Sequence, residues 1–155
     1  MKAAMASALD KVISPDDQKK IVDAIKAAER KSSGEIHVHV EAKCPDQDAY
    51  QRATSLFESL GLTQTRERNG VLIYVATRDR KFAFIGDTGI HEAVGSAFWS
   101  EAVAGMSVQF RQGQLGPGIV QAIDSIGEHL HRRFPHRADD RNELSDEIST
   151  DESNS

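Results

Sequence analysis

Apolar residues along the chain switch between two periods, and the switches mark the elements. Ser14-Pro15-Asp16-Asp17 supplies a capping serine, a proline suited to a first helical turn and two acids for the positive end of a helix dipole. Ile21, Val22, Ile25 and Ala28 then recur at helical spacing until Ser32, Ser33 and Gly34 end the run. From Glu35 to Glu41 the sequence E-I-H-V-H-V-E alternates strictly, which predicts a strand with Ile36, Val38 and Val40 facing a core.

Pro45 and Asp46 open a second helix carrying Ala49, Ala53, Leu56, Phe57 and Leu60, and Gly61 stops it. A polar loop leads to V-L-I-Y-V-A, a continuous apolar run of the kind found in a central strand. The short turn T-R-D-R-K and the run F-A-F-I make the next strand antiparallel to it. Phe98, Ala102, Val103, Met106 and Phe110 predict a helix over about 96–110, and R-Q-G-Q-L-G-P-G breaks it. A last helix carries Ile119, Val120, Ile123, Ile126, Leu130 and Phe134, ended by Pro135. The order α-β-α-β-β-α-α contains a right-handed parallel crossover followed by a hairpin. It predicts an α/β sandwich in which helices cover a three- or four-stranded mixed sheet.

The 155 residues suffice for one domain. The expected division is an N-terminal extension over 1–11, an α/β domain over 12–135 and an acidic, largely flexible tail over 136–155. A composition of 39% hydrophobic and 28% charged residues fits a soluble globular chain. No stretch approaches the roughly 18 apolar residues of a membrane span. The N-terminus lacks the continuous apolar core of a secretory signal, and Cys44 has no second cysteine to pair with, so the expected location is cytoplasmic. The tail carries seven acids against Arg137 and Arg141, which accounts for the whole net charge of −5. The balanced remainder has no broad basic face for nucleic acid. Leu144 and Ile148, four apart, are spaced to dock one turn on the domain.

The most suggestive motif is G-D-T-G-I at 86–90, at the end of the hairpin. It has neither the lysine and hydroxyl of a P-loop nor the spacing of a dinucleotide fingerprint. Topology gives it another role. The second strand begins after Asn69-Gly70, the third returns to the same edge, and a parallel first strand begins there at Gly34-Glu35. Glu35, Asn69 and Asp87 are therefore predicted to converge, with Gly34, Gly70, Gly86 and Gly89 allowing close approach of the backbone. Two carboxylates and an amide oxygen suit Ca²⁺ or Mg²⁺. The plainer reading makes Asn-Gly and Asp-Thr-Gly turn residues only.

A second-choice metal edge, formed by Glu41, Asp46 and Asp79 with Asp48 nearby, lies where the first two strands end. Asp46 and Asp48 also read as helix-start acids, and Asp79 as a turn residue. His37 and His39 share one face of a strand, a pair compatible with a transition metal or with an exposed strand face. Arg66, Arg68, Arg78, Arg80 and Lys81 flank the hairpin and could hold an anion, though scattered surface charge explains them as well. Trp99 is placed to anchor the glycine loop from beneath. Cys44 has no evident histidine base, and no G-x-S-x-G elbow holds a serine nucleophile.

S-S-G-E-I-H-V-H-V-E, R-N-G-V-L-I-Y-V-A-T-R-D-R-K-F-A-F-I-G-D-T-G-I, F-W, the G-Q-L-G-P-G-I turn and the tail D-D-R-N-E-L-S-D-E-I-S together resemble the TPM domain family, over about residues 12–148. That family groups thylakoid-lumen, photosystem-repair and other membrane-anchored proteins with small soluble bacterial forms. The resemblance implies a Rossmann-like α/β/α sandwich, binding of Ca²⁺ or Mg²⁺, and acid phosphatase activity proposed for some members. Asn69, Gly70, Gly86, Asp87 and Gly89 match its pattern, and Glu35 matches the small-form S-G-E-I. The chain departs from the anchored members in lacking a signal, a span and a glycine-rich tail. Two functions follow as expectations. One is a divalent-cation domain with weak phosphomonoester hydrolysis. The other is a non-catalytic Ca²⁺- or Mg²⁺-binding adaptor that meets a protein partner. Neither a nucleophile nor an oligomeric state is indicated.

Overall fold

The computed structural model describes residues 8–93, 97–136 and 144–150. In chain order the elements are α1 (Ala8–Val12), α2 (Pro15–Lys31), β1 (Glu35–Glu41), α3 (Ala49–Ser59), β2 (Gly70–Ala76), β3 (Lys81–Gly86), α4 (Thr88–Ala93), α5 (Ala97–Arg111), α6 (Leu115–Arg133) and β4 (Ser149–Thr150). Ser14 caps α2 as the sequence predicts, whereas α3 starts at Ala49 and not at Pro45-Asp46, with Asp48 as its cap. Ser14 accepts from the amide of Asp17 at the start of α2, and Asp48 accepts from that of Gln51 at the start of α3.

The sheet is mixed, in the order β3-β2-β1-β4, with β1–β2 parallel and β2–β3 antiparallel. Alternation splits the core into two layers. Ile36, Val38, Val40, Val71, Ile73 and Val75 face α2 and α6, while Leu72, Tyr74 and Ile85 face α3. Helix α6 packs between α2 and α5, completing an α/β/α sandwich. Its Ile119, Ile123, Ile126 and Leu130 are fully buried.

Helix α6 starts at Leu115, so the second half of the expected turn R-Q-G-Q-L-G-P-G is already helical, and the tail differs from the sequence expectations as well. Leu144 and Ile148 do dock, but as extended chain leading into β4 beside β1, so they serve opposite layers: Leu144 packs on the α3 side and Ile148 on the α2–α6 side. This edge cover also overturns the exposed strand face expected for His37 and His39, because every residue of β1 is buried. Residues 1–7, 94–96, 137–143 and 151–155 lie outside the described residues. No helix among those described is long and apolar enough to cross a membrane.

Candidate functional site

Strand register brings the three predicted residues to one edge. Glu35 lies opposite Gly70, and Val71 lies opposite Gly86. The main chains interlock there: the Glu35 amide donates to the Asn69 carbonyl at 3.4 Å, and the Asp87 amide donates to the Gly70 carbonyl at 3.0 Å. All three side chains are buried.

Their polar ends nevertheless go separate ways. The Asp87 carboxylate takes Arg68 with both oxygens, from Nε at 2.6 Å and Nη2 at 2.8 Å, and also accepts from the Thr88 amide. The Asn69 amide group donates to Ser33 Oγ, while its Oδ1, fully buried, has no hydrogen-bond partner among the described residues. Glu35 Oε1 accepts from the Leu144 amide at 2.6 Å. The glycines do what close approach requires. A Cβ on Gly70 would stand 2.9 Å from the Leu62 carbonyl oxygen, and one on Gly89 would strike the carbonyls of Glu67 and Arg68. One on Gly86 would meet Ile90 and Trp99, and one on Gly34 would meet Leu130. Trp99 stacks on Phe84 and so supports the loop as predicted.

Beside Glu35 the fold assembles carboxylates that the sequence reading missed. Glu29 of α2 accepts from the Ile36 amide at the start of β1. Burial, a hydrogen bond with Asp146 and the nearby charges of Asp146 and Glu35 push its carboxyl up to about 10, so it holds a proton at neutral pH. A signal was available: Glu29 falls four residues after Ile25 and eight after Ile21, on the buried stripe of α2 where an acid has no bland explanation.

At the opposite edge the second-choice residues do not converge on a cation site. Glu41 is held by Arg52 through two bonds of 2.8 Å, by the Tyr74 hydroxyl and by His39 Nε2. Burial works against its ionisation, yet the bonds from Arg52, Tyr74 and His39 prevail and hold the carboxyl below its usual range. Asp79 accepts from the Cys44 amide, and Asp46 takes the Cys44 thiol on its main-chain carbonyl. The two histidines serve the tail. Ser149 Oγ bridges His37 Nε2 and His39 Nδ1, 2.8 Å from each. Among the described residues, no group of three or more His, Cys, Asp or Glu side chains is arranged to hold a metal ion.

A family model for the TPM domain, named for a phosphatase, matches residues 7–129. The solution structure of the BA42 protein from the psychrophilic bacterium Bizionia argentinensis is similar at 39% identity and a TM-score of 0.85, covering 94% of this chain and 99% of that one. The N-terminal domain of the cg2496 protein from Corynebacterium glutamicum shares the fold at 19% identity and a TM-score of 0.57, covering 76% of this chain and 74% of that one. No curated protein matches.

Proposed function

Because the chain belongs to the TPM domain family, we propose that it binds a divalent cation, Ca²⁺ or Mg²⁺, at the edge where β1 and β2 begin. The observation that carries this reading is the gathering of three carboxylates at this edge: buried Glu35, with half-buried Glu29 and Asp146 close enough to each other and to it to push the Glu29 carboxyl upward. Carboxylates, with a buried and unpartnered amide oxygen on Asn69 at the same sheet edge, are the donor types a hard cation takes. The ion would displace the Glu29 proton and draw Glu29, Glu35 and Asp146 together. Asp87 remains with Arg68 in this reading and shapes the loop.

The test is calorimetric titration with Ca²⁺ and Mg²⁺ in two buffers of different ionisation enthalpy. Saturable binding with proton release supports the reading, and weakening of about tenfold or more by Glu35→Gln places it. An absence of binding, or binding that Glu29→Gln and Glu35→Gln leave intact, refutes it.

The name of the family model favours a second reading, metal-linked hydrolysis of phosphomonoesters, in which the bound ion would polarise a phosphoryl oxygen. Hydrolysis of an aryl phosphate that rises with added cation and falls in Glu35→Gln supports it. Binding without turnover leaves the domain a cation-dependent adaptor.

A further inference from the structure

Only two non-glycine residues among those described have positive φ, and both are arginines: Arg68 at 52° and Arg80 at 55°. Asparagine or glycine adopts that conformation at less cost, so each arginine needs a reason to be there. Arg68 has one in its two bonds to Asp87. Arg80 has no hydrogen-bond or ion-pair partner among the described residues. Its turn is nonetheless firmly held. The amides of Thr77 and Arg78 donate to the carbonyls of Glu41 and Ala42, Asp79 accepts from the Cys44 amide, and Lys81 donates to the Gln47 carbonyl.

The side of the hairpin on which Arg80 stands opens into a groove of about 390 Å³ between β3 and the junction of α5 with α6. Phe82 and Phe110 form its floor, meeting edge to face with centroids 5.2 Å apart, and Leu115 also lines it. Arg80 and Arg111, both exposed, stand on the rim with the hydroxyls of Ser107 and Thr77, and no acid lines the groove. Arg111 likewise has no partner among the described residues. Two unpaired guanidinium groups above an aromatic floor match one chemistry: an anionic head, phosphate or carboxylate, joined to an aromatic or apolar body. The volume suits a small molecule.

We propose that this groove binds a small organic anion, its head held by Arg80 and Arg111 and its apolar part set on Phe82 and Phe110. The site lies at the opposite edge of the sheet from Glu29 and Glu35 and stands without the cation reading.

The experiment is an amide-shift titration of the whole chain with phenyl phosphate, benzoate, inorganic phosphate and phenol. Saturable shifts confined to Thr77, Arg80, Phe82, Ser107, Phe110 and Gly113 are expected for phenyl phosphate or benzoate or both, and which of them binds tells the head group. Inorganic phosphate and phenol, each lacking one half of the ligand, should bind about tenfold more weakly or less. Arg80→Asn keeps the turn and should melt at a higher temperature than the wild type while losing about tenfold or more in affinity. Arg111→Gln, away from the turn, should lose a similar factor. Shifts scattered over the surface, equal binding of phenol and phenyl phosphate, or full affinity in both variants would overturn the proposal.

Discussion

Arg68 grips Asp87 with both faces of the pair satisfied, Nε to Oδ2 at 2.6 Å and Nη2 to Oδ1 at 2.8 Å. The acid of the G-D-T-G-I motif is therefore committed to an arginine of the same edge, which holds the loop before β2 against the loop after β3. Asp87→Ala removes that tie together with the bond to the Thr88 amide. It should lower the melting temperature by roughly 5 °C, while Ca²⁺ or Mg²⁺ affinity changes by less than about threefold. Thermal melts and calorimetry on one preparation decide it. A large loss of cation affinity without loss of stability would return Asp87 to the ligand set.

Glu29 gives stability a particular pH dependence. Its carboxyl rises from 4.5 unfolded to about 10 folded, so between those values the folded state holds the extra proton. Its contribution is therefore complete below about pH 4.5 and is lost as pH climbs towards 10. Glu29→Gln keeps the shape without the proton. It should stabilise the cation-free protein at mildly alkaline pH by on the order of 1–3 kcal/mol and flatten that slope. Urea unfolding at several pH values measures both. An unchanged slope would mean that another group carries it.

His37 gives the opposite sign. Burial lowers its pKa below 6.5, and the nearby His39 adds to this, while the bond to the Ser145 carbonyl and the charge of Asp146 work the other way. The neutral ring is thus the folded form. Its contribution is present above about pH 6.5 and lost as pH falls. Since its two nitrogens contact the Ser145 carbonyl and Ser149 Oγ, acid should loosen the tail first. Amide exchange of Leu144 and Thr150 should accelerate in mild acid before that of β2, and His37→Gln should weaken the effect. Simultaneous loss of protection in both strands would contradict it.

The sheet and the convergence at its edge were legible because short connections limit what the chain can do. Four residues between β2 and β3 force a hairpin, and a hairpin returns Asp87 to the edge that Asn69 begins. Side-chain partners were not legible in the same way. Arg68 resembled any other basic residue of its loop, and only the fold sets it against Asp87. Ser149 meets His39 across 110 residues of sequence, from a two-residue strand too short to show a period. Glu29 was different: the α2 stripe already contained it, and reading the stripe for charge as well as for hydrophobicity would have found it.

Gly89 and Gly113 separate two reasons for a glycine. Gly113 has φ of 73° and nothing within 4 Å of an added Cβ, so Gly113→Ala incurs only left-handed strain, about 1 kcal/mol. Gly89 has the reverse problem. Its added Cβ would collide with the Glu67 carbonyl and stand 2.7 Å from the Arg68 carbonyl oxygen, to which the Gly89 amide donates at 2.8 Å. Those are main-chain atoms, and no side chain can swing aside. The loop carrying Arg68 must move, which disturbs the grip on Asp87 as well. Gly89→Ala should therefore cost about 2–4 kcal/mol, clearly more than Gly113→Ala, with amide shifts spreading from Arg68 to Gly70. Urea midpoints of the two variants compared with the wild type test the order. Equal losses would show that the loops at this edge yield freely, and that Asp87 is held less firmly than its bonds to Arg68 and Thr88 imply.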